Sequence, residues 1–388
     1  MKSETEQSVV NSRIFGLDLL RCIAIVLVLI AHTIRPLGDN VFINASGIYG
    51  AVWGVEIFFV LSGFLIGTIL IKIHNQHPVT SLDSIKIFLI RRWFRTLPNY
   101  YLMLCVYMLL YYISPKLEST PAINPFPFLF FLQNVTPTFP HLSFFGISWS
   151  LCIEEWFYLL FPIVMFLIQF ISGNKYTSLF RTIIFFMLIP LLFRLWVAER
   201  FDWPWDEGFR KVMPLRLDSI AIGVLAALFK FYSGEMWHKR KNIMAIMASI
   251  LLLTMLILLK FDFIDNYDAQ KDIPTGSVSL FLNTVFFSVN SLAIAMFIPF
   301  FYSIKSNYSF YGKVITTISL ISYSLYLSHP LVITIVGHFF RDYPIVNFIL
   351  TWSISIVGAY FQYHLFEKRF TSFRDSFGKK KDAVGLLN

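Results

Sequence analysis

Charge is what this sequence has least of. Asp, Glu, Lys and Arg make up 14% of its 388 residues, where soluble globular proteins carry about a quarter. So few charges cannot keep a surface of ordinary size in water, which excludes most soluble enzymes and binding modules. Cysteine is nearly missing too. Cys22, Cys105 and Cys152 all lie in apolar runs, where an unpaired thiol packs as a small hydrophobe, so no disulfide framework is available. His74, His77, His141, His238, His338 and His364 show no metal-ligand spacing. Internal repeats, low-complexity stretches and linkers long enough to open a second domain are also absent. In their place stands apolar surface: 56% of residues are hydrophobic and 43 are Phe, the composition of an all-α polytopic membrane protein.

A window of about 20 apolar residues places spans near 14–36, 49–73, 97–114, 147–172, 179–198, 213–233, 243–260, 280–302, 316–337 and 345–366. That is ten helices, with nine or eleven left open: the third is short, and Phe126 to Leu132 is too short to cross. One membrane domain, about 14–370, fills the chain between short tails. No removable signal peptide is expected, because the first apolar run carries charges and lacks a small-residue cleavage pattern. Residues 81–94 (SLDSIKIFLIRRWF), apolar on one face and basic at the end, read as a helix lying in the membrane interface. Lys and Arg gather in the connections that share a side with the N-terminus, among them Arg91, Arg92, Arg95, Lys239, Arg240 and Lys241. The positive-inside rule then puts both termini in the cytoplasm. Topology accounts for the net charge of +9, and no nucleic-acid partner is implied.

The stretch GLDLLRCIAIVLVLIAH holds ionisable groups inside an apolar helix, where they are costly unless they serve a site. His32 lies eleven positions after Arg21, three turns plus about 20°, so the two share a face roughly 16 Å apart along the axis. Asp18 is one turn from Arg21. With the topology fixed, Glu56, Glu154, Glu155, Arg216, Asp218 and His329 come from four other spans to about the depth of His32. Any one of them is readable as half of an ion pair. Together they imply a polar, water-accessible cavity open to the outer side. On the cytoplasmic side, the Arg91, Arg92, Arg95 cluster is either ordinary positive-inside charge or a site for a polyanion such as a nucleotide phosphate, which suits the planar fork of arginine.

These blocks resemble the acyltransferase 3 family of integral membrane acyltransferases. Arg21 and His32 match its Arg, ten residues, His signature. GVEIFFVLSGFLI, RRWFRTLPNYY (with Arg92 and Arg95 as its RxxR pair), SWSLCIEEWFYLLFP, PLRLDSIAIGVLAA and ISYSLYLSHPLVI match later blocks in order. The resemblance implies a ten-helix fold in a cell membrane, the inner membrane in a Gram-negative host. It implies acetyl-CoA as a co-substrate arriving from the cytoplasm, and as acceptor a hydroxyl of an envelope glycan such as lipopolysaccharide O-antigen or capsule. Membrane lipid is the medium and no metal is expected.

Some relatives carry a C-terminal SGNH-type domain. Here none is expected, so transfer runs directly to the glycan or through a separate extracytoplasmic acyl-accepting protein. Imidazole chemistry near neutral pH makes His32 the candidate general base, with Glu154, and less so Glu155, orienting it or stabilising its cation. Arg21, Arg92 and Arg95 are candidates for binding the donor. Glu56, Arg216, Asp218 and His329 either shape the acceptor cavity or pair with one another. The alternative reading is a secondary transporter or flippase for a glycan precursor, against which the absence of repeated halves weighs.

Overall fold

The structure, a computed structural model, describes residues 13–38, 41–76, 82–113, 124–137, 144–260, 267–268, 273–274, 278–305 and 309–373. It has ten principal helices: α1 (Phe15–Thr33), α2 (Val41–Gln76), α3 (Leu82–Ile113), α4 (Ser148–Ser172), α5 (Lys175–Arg200), α6 (Leu217–Tyr232), α7 (Lys241–Leu259), α8 (Val285–Tyr302), α9 (Phe310–Phe339) and α10 (Pro344–Gln362). The only strands among the described residues are the paired dipeptides Tyr267–Asp268 and Ile273–Pro274. Nine of the described helices are long and apolar enough to cross a membrane, and the fold is that of an all-α polytopic membrane protein. The tenth, α6, has 16 residues, about 24 Å at 1.5 Å each against a hydrocarbon core of about 30 Å. Every residue from Leu217 to Val224 is buried, so α6 is sheathed by protein rather than lipid.

Two elements differ from the sequence reading or complete it. The stretch read as an interfacial helix, of which residues 82–94 are described, is continuous with the third span, in α3, with Pro98 in the helix interior. A proline removes one intrahelical bond, and a membrane helix packed among others tolerates that loss. The apolar run too short to cross forms the short helix Phe126–Leu129 and then turns back. Phe131 sits there at φ 55°, a left-handed conformation that costs a non-glycine residue about 1–2 kcal/mol. The turn is fixed by the Phe131 carbonyl, which accepts from Cys152 Sγ at 2.8 Å and Trp156 Nε1 at 2.7 Å. Cys152 is thus a structural donor.

α2 is the axis of the molecule. Its Gly54 meets α1: a Cβ there would lie 3.0 Å from the Ala24 carbonyl oxygen and 2.7 Å from Val28 Cγ2. Gly63 meets α6, where a Cβ would fall 1.9 Å from Ile220 O, and the reciprocal Cβ on Gly223 would fall 2.2 Å from Val60 O. Small residues spaced four apart, here Gly63 and Gly67, let membrane helices approach backbone to backbone and replace the missing hydrophobic drive with dispersion contacts. The other face of α1 packs on α9, and α9 on α10 and α3. Gly63→Leu is therefore expected to abolish the single sharp peak of the folded protein in size-exclusion chromatography in detergent. A Gly63→Leu protein that elutes and melts like the parent would contradict this packing.

Candidate active site

α1 and α9 lie side by side and parallel, and their polar residues match along the length. At one end, Ser319 Oγ donates to Asp18 Oδ1 at 2.7 Å, and Arg13 grips the same carboxylate with bonds of 3.0 and 2.6 Å. Arg21 touches this cluster only at its edge, 3.6 Å from Asp18 and 3.4 Å from Ser319. Its guanidinium helps line a cavity of about 90 Å³ with Arg92 and Arg95 of α3, Glu154 of α4, and Tyr323 and Tyr326 of α9. A water needs roughly 10–15 Å³ of such space, so the cavity has room for several. Arg92 and Arg95, three residues apart, share a face of α3. On α4, Ser150, Glu154 and Tyr158 recur every four residues and form one stripe. Glu154 accepts from Ser62 at 2.8 Å and Tyr158 at 2.9 Å, so both its oxygens are engaged. Three arginines and one glutamate thus line one cavity, an arrangement suited to a polyanion.

At the other end are two histidines. His32 and His329 meet with ring centroids 5.0 Å apart at 65°. His32 is exposed and His329 fully buried. His32 Nδ1 lies 2.8 Å from Val28 O. A carbonyl only accepts, so Nδ1 carries the hydrogen and the lone pair is on Nε2, the nitrogen that can take a proton. Between the histidines and the arginine cavity, Tyr326 hydroxyl and Ser150 Oγ are hydrogen-bonded at 2.7 Å.

The carboxylates expected beside His32 are elsewhere. Glu154 belongs to the arginine cavity, and Glu155 accepts from Thr96 at 2.6 Å; no described hydrogen bond or ion pair joins either to His32. The reason is one helical turn. Ser150, four residues earlier on the same stripe, holds the level of Tyr326, and Glu154 lies about 6 Å further along the axis.

Of the two readings for Glu56, Arg216 and Asp218, the geometry favours pairing. Arg216 donates to Glu56 at 2.5 Å, and Ser291 also donates to that carboxylate. Asp218 is clasped by Arg194 through bonds of 3.0 and 2.7 Å, with Ser288 closing the triangle at 2.6 Å. In the connection before α6, Arg210 and Lys211 pair with Asp206 and lie on the side of His32. Burial pushes the Asp206 carboxyl up, and the Arg210 and Lys211 cations overcome it, holding it below the usual carboxylate range. A depressed acid contributes stability above its unfolded pKa, near 4, and loses it as pH falls below that.

A family model described as an acyltransferase domain matches residues 14–363. The chain belongs to the acyltransferase 3 family. Among curated relatives, "Putative O-acetyltransferase SACOL0978" of Staphylococcus aureus (strain COL) is 27% identical over 391 residues, covering 96% of this chain and 58% of that protein. "Peptidoglycan O-acetyltransferase OatA" of Listeria monocytogenes is 31% identical over 193 residues, covering 47% of this chain and 28% of its own length. The chain therefore spans a little over half the length of the first of these acyltransferase 3 relatives. No solved structure matches it.

Two residues at the heart of these networks were not singled out by the sequence reading. Arg194 is 0% exposed inside α5, and a lone arginine in an apolar span is itself a signal that a carboxylate waits nearby. Glu367, at the end of the π-helical turn Tyr363–Glu367, accepts from Ser324 at 2.6 Å and Asn99 at 3.2 Å. In sequence it merges into the basic tail. Removing one partner of a fully buried pair strands the other charge, at roughly 3–5 kcal/mol. Asp218→Ala should accordingly lower the melting temperature in detergent sharply, and adding Arg194→Leu should recover part of the loss. An Asp218→Ala protein that melts like the parent would contradict this account.

Proposed function

We propose that this protein transfers an acyl group, acetyl in the first instance, from acyl-CoA to a hydroxyl of an envelope glycan. The donor enters the arginine cavity from the cytoplasm, and the acceptor approaches His32 from the opposite side. The observation that carries this reading is the shared face of α1. One helix presents Arg21 to a cavity fit for phosphates and, about 16 Å further, His32 to the exterior with the lone pair of Nε2 available. Arg92 and Arg95 would hold the donor's phosphates through charge-assisted hydrogen bonds. Arg21 would meet the pantetheine arm as it rises along α1 towards Ser150 and Tyr326. His32 Nε2 would take the hydroxyl proton as the oxygen attacks the thioester carbon. Glu154, bound by Ser62 and Tyr158, would balance the charge of the cavity once the donor has left.

The acetyl group draws support from the names of the relatives, all O-acetyltransferases. The Listeria relative's name points to peptidoglycan as one acceptor class, beside the lipopolysaccharide O-antigen and capsule expected from the motifs. Mass spectrometry of envelope glycans distinguishes these acceptors. Cells lacking the gene, cells complemented with the parent, and cells complemented with His32→Ala at equal membrane abundance are compared. An acetyl increment present only with the parent is the expected result. An increment that persists with His32→Ala would remove His32 from the chemistry. For the donor, Arg95→Ala should raise KM for acetyl-CoA by about tenfold or more, the worth of a hydrogen bond to a charged group, with kcat changed far less. An unchanged KM would separate Arg95 from donor binding.

A further inference from the structure

His329 sits in an arrangement that packing does not explain. Pro330 follows it and has no N–H, so the carbonyl of Tyr326, four residues before the proline, lacks its helical partner. His329 Nδ1 supplies that bond, 2.7 Å from Tyr326 O, with Leu325 O at 3.1 Å. Nδ1 therefore carries the hydrogen, and the lone pair is fixed on Nε2. Nε2 is fully buried and has no hydrogen-bond partner among the described residues. An orphaned polar atom costs stability that an apolar side chain of similar size would not forfeit. Its ring neighbours are His32, at 5.0 Å, and Tyr326, at 5.9 Å.

We infer that His329 is a positioning residue for His32, its Nε2 accepting the hydrogen bond of the imidazolium that forms when His32 takes the acceptor's proton. The inference rests on the reading of His32 as base. In that step the O–H bond of the acceptor breaks and its proton moves to His32 Nε2. The oxygen forms its bond to the acyl carbon, and the C–S bond breaks with its electron pair going to sulfur. His32 Nδ1–H stays on Val28 O and holds the ring, so the new Nε2–H is shared between the acceptor oxygen and the lone pair of His329. It is held there until it passes to the sulfur, which leaves as the thiol. Arg210, Lys211 and Asp206 are the other charged groups facing His32, and none of them is hydrogen-bonded to it in the described structure. His329 is the acceptor in ring contact.

The test uses inside-out membrane vesicles of the producing cells, which contain the native acceptor, fed with acetyl-CoA labelled in the acetyl group. The parent, His32→Ala, His329→Leu and His329→Gln are compared at equal abundance. His329→Leu is expected to lower kcat by about tenfold or more and to leave KM for acetyl-CoA within about twofold. His329→Gln offers a carbonyl acceptor in a similar place and should recover kcat to within a few-fold of the parent. If His329→Leu fails to fold, His329→Met is read in its stead. Parental kcat in the apolar variant, or equal loss in the apolar and Gln variants, overturns the inference. His32→Ala at the parental rate overturns the base reading instead. No incorporation by the parent overturns the acetyl-CoA reading, and this inference with it.

Discussion

A charge inside an apolar slab must be paired or must serve a site, and that constraint sorts this molecule into two parts. One part is closed. Arg194 with Asp218 and Arg216 with Glu56 form buried pairs, and Ser288 and Ser291 add hydrogen bonds to the two carboxylates. They lock α5, α6, α2 and α8 together around a sheathed central helix. The other part is open. Arg95 lines the cavity with no ion pair among the described residues, Arg21 has only a glancing contact with Asp18, and His329 Nε2 has no hydrogen-bond partner there. Chemistry belongs to the open part because a transferred group can be recognised only by polar atoms that the protein has not already satisfied.

The close helix crossings hold these parts in register. α2 presses against α1 through Gly54 and against α6 through Gly63, so the helix bearing Arg21 and His32 is fixed to the helix bearing the ion-paired scaffold. α9 then lies along α1 as a second polar ladder, Ser319 beside Asp18 and His329 beside His32. Between these two contacts α1 advances fourteen residues, about 21 Å, and α9 ten, about 15 Å. The parallel pair defines a track from an arginine-lined end to a histidine end, with Tyr326 and Ser150 between them.

Much of this was legible in the sequence, and the parts that were not share a cause. Ten helices follow from hydropathy, because lipid and core alike demand long apolar runs, and the pairing of Arg21 with His32 on one face follows from helical period. Depth read from span boundaries is good to about a turn, which is why Glu154 was expected beside His32 and lies instead with Arg92 and Arg95. Amphipathic and basic character made residues 81–94 resemble a surface helix, although Pro98 does not break α3. Single serines and tyrosines such as Ser62, Tyr158 and Tyr326 carry no pattern, since their significance lies in partners distant along the chain. The Ser-His-Pro run at 328–330 did carry a signal: a proline after a histidine frees the carbonyl that fixes the histidine's tautomer.

The most direct measurement is a cryo-electron microscopy structure of the protein in lipid nanodiscs with a non-transferable thioether analogue of acetyl-CoA. The account predicts donor phosphates beside Arg92 and Arg95, the pantetheine arm passing Arg21, and the acyl end reaching Ser150 and Tyr326 below the two histidines. A donor bound at the exposed mouth beside His32, or outside the arginine cavity altogether, would contradict it.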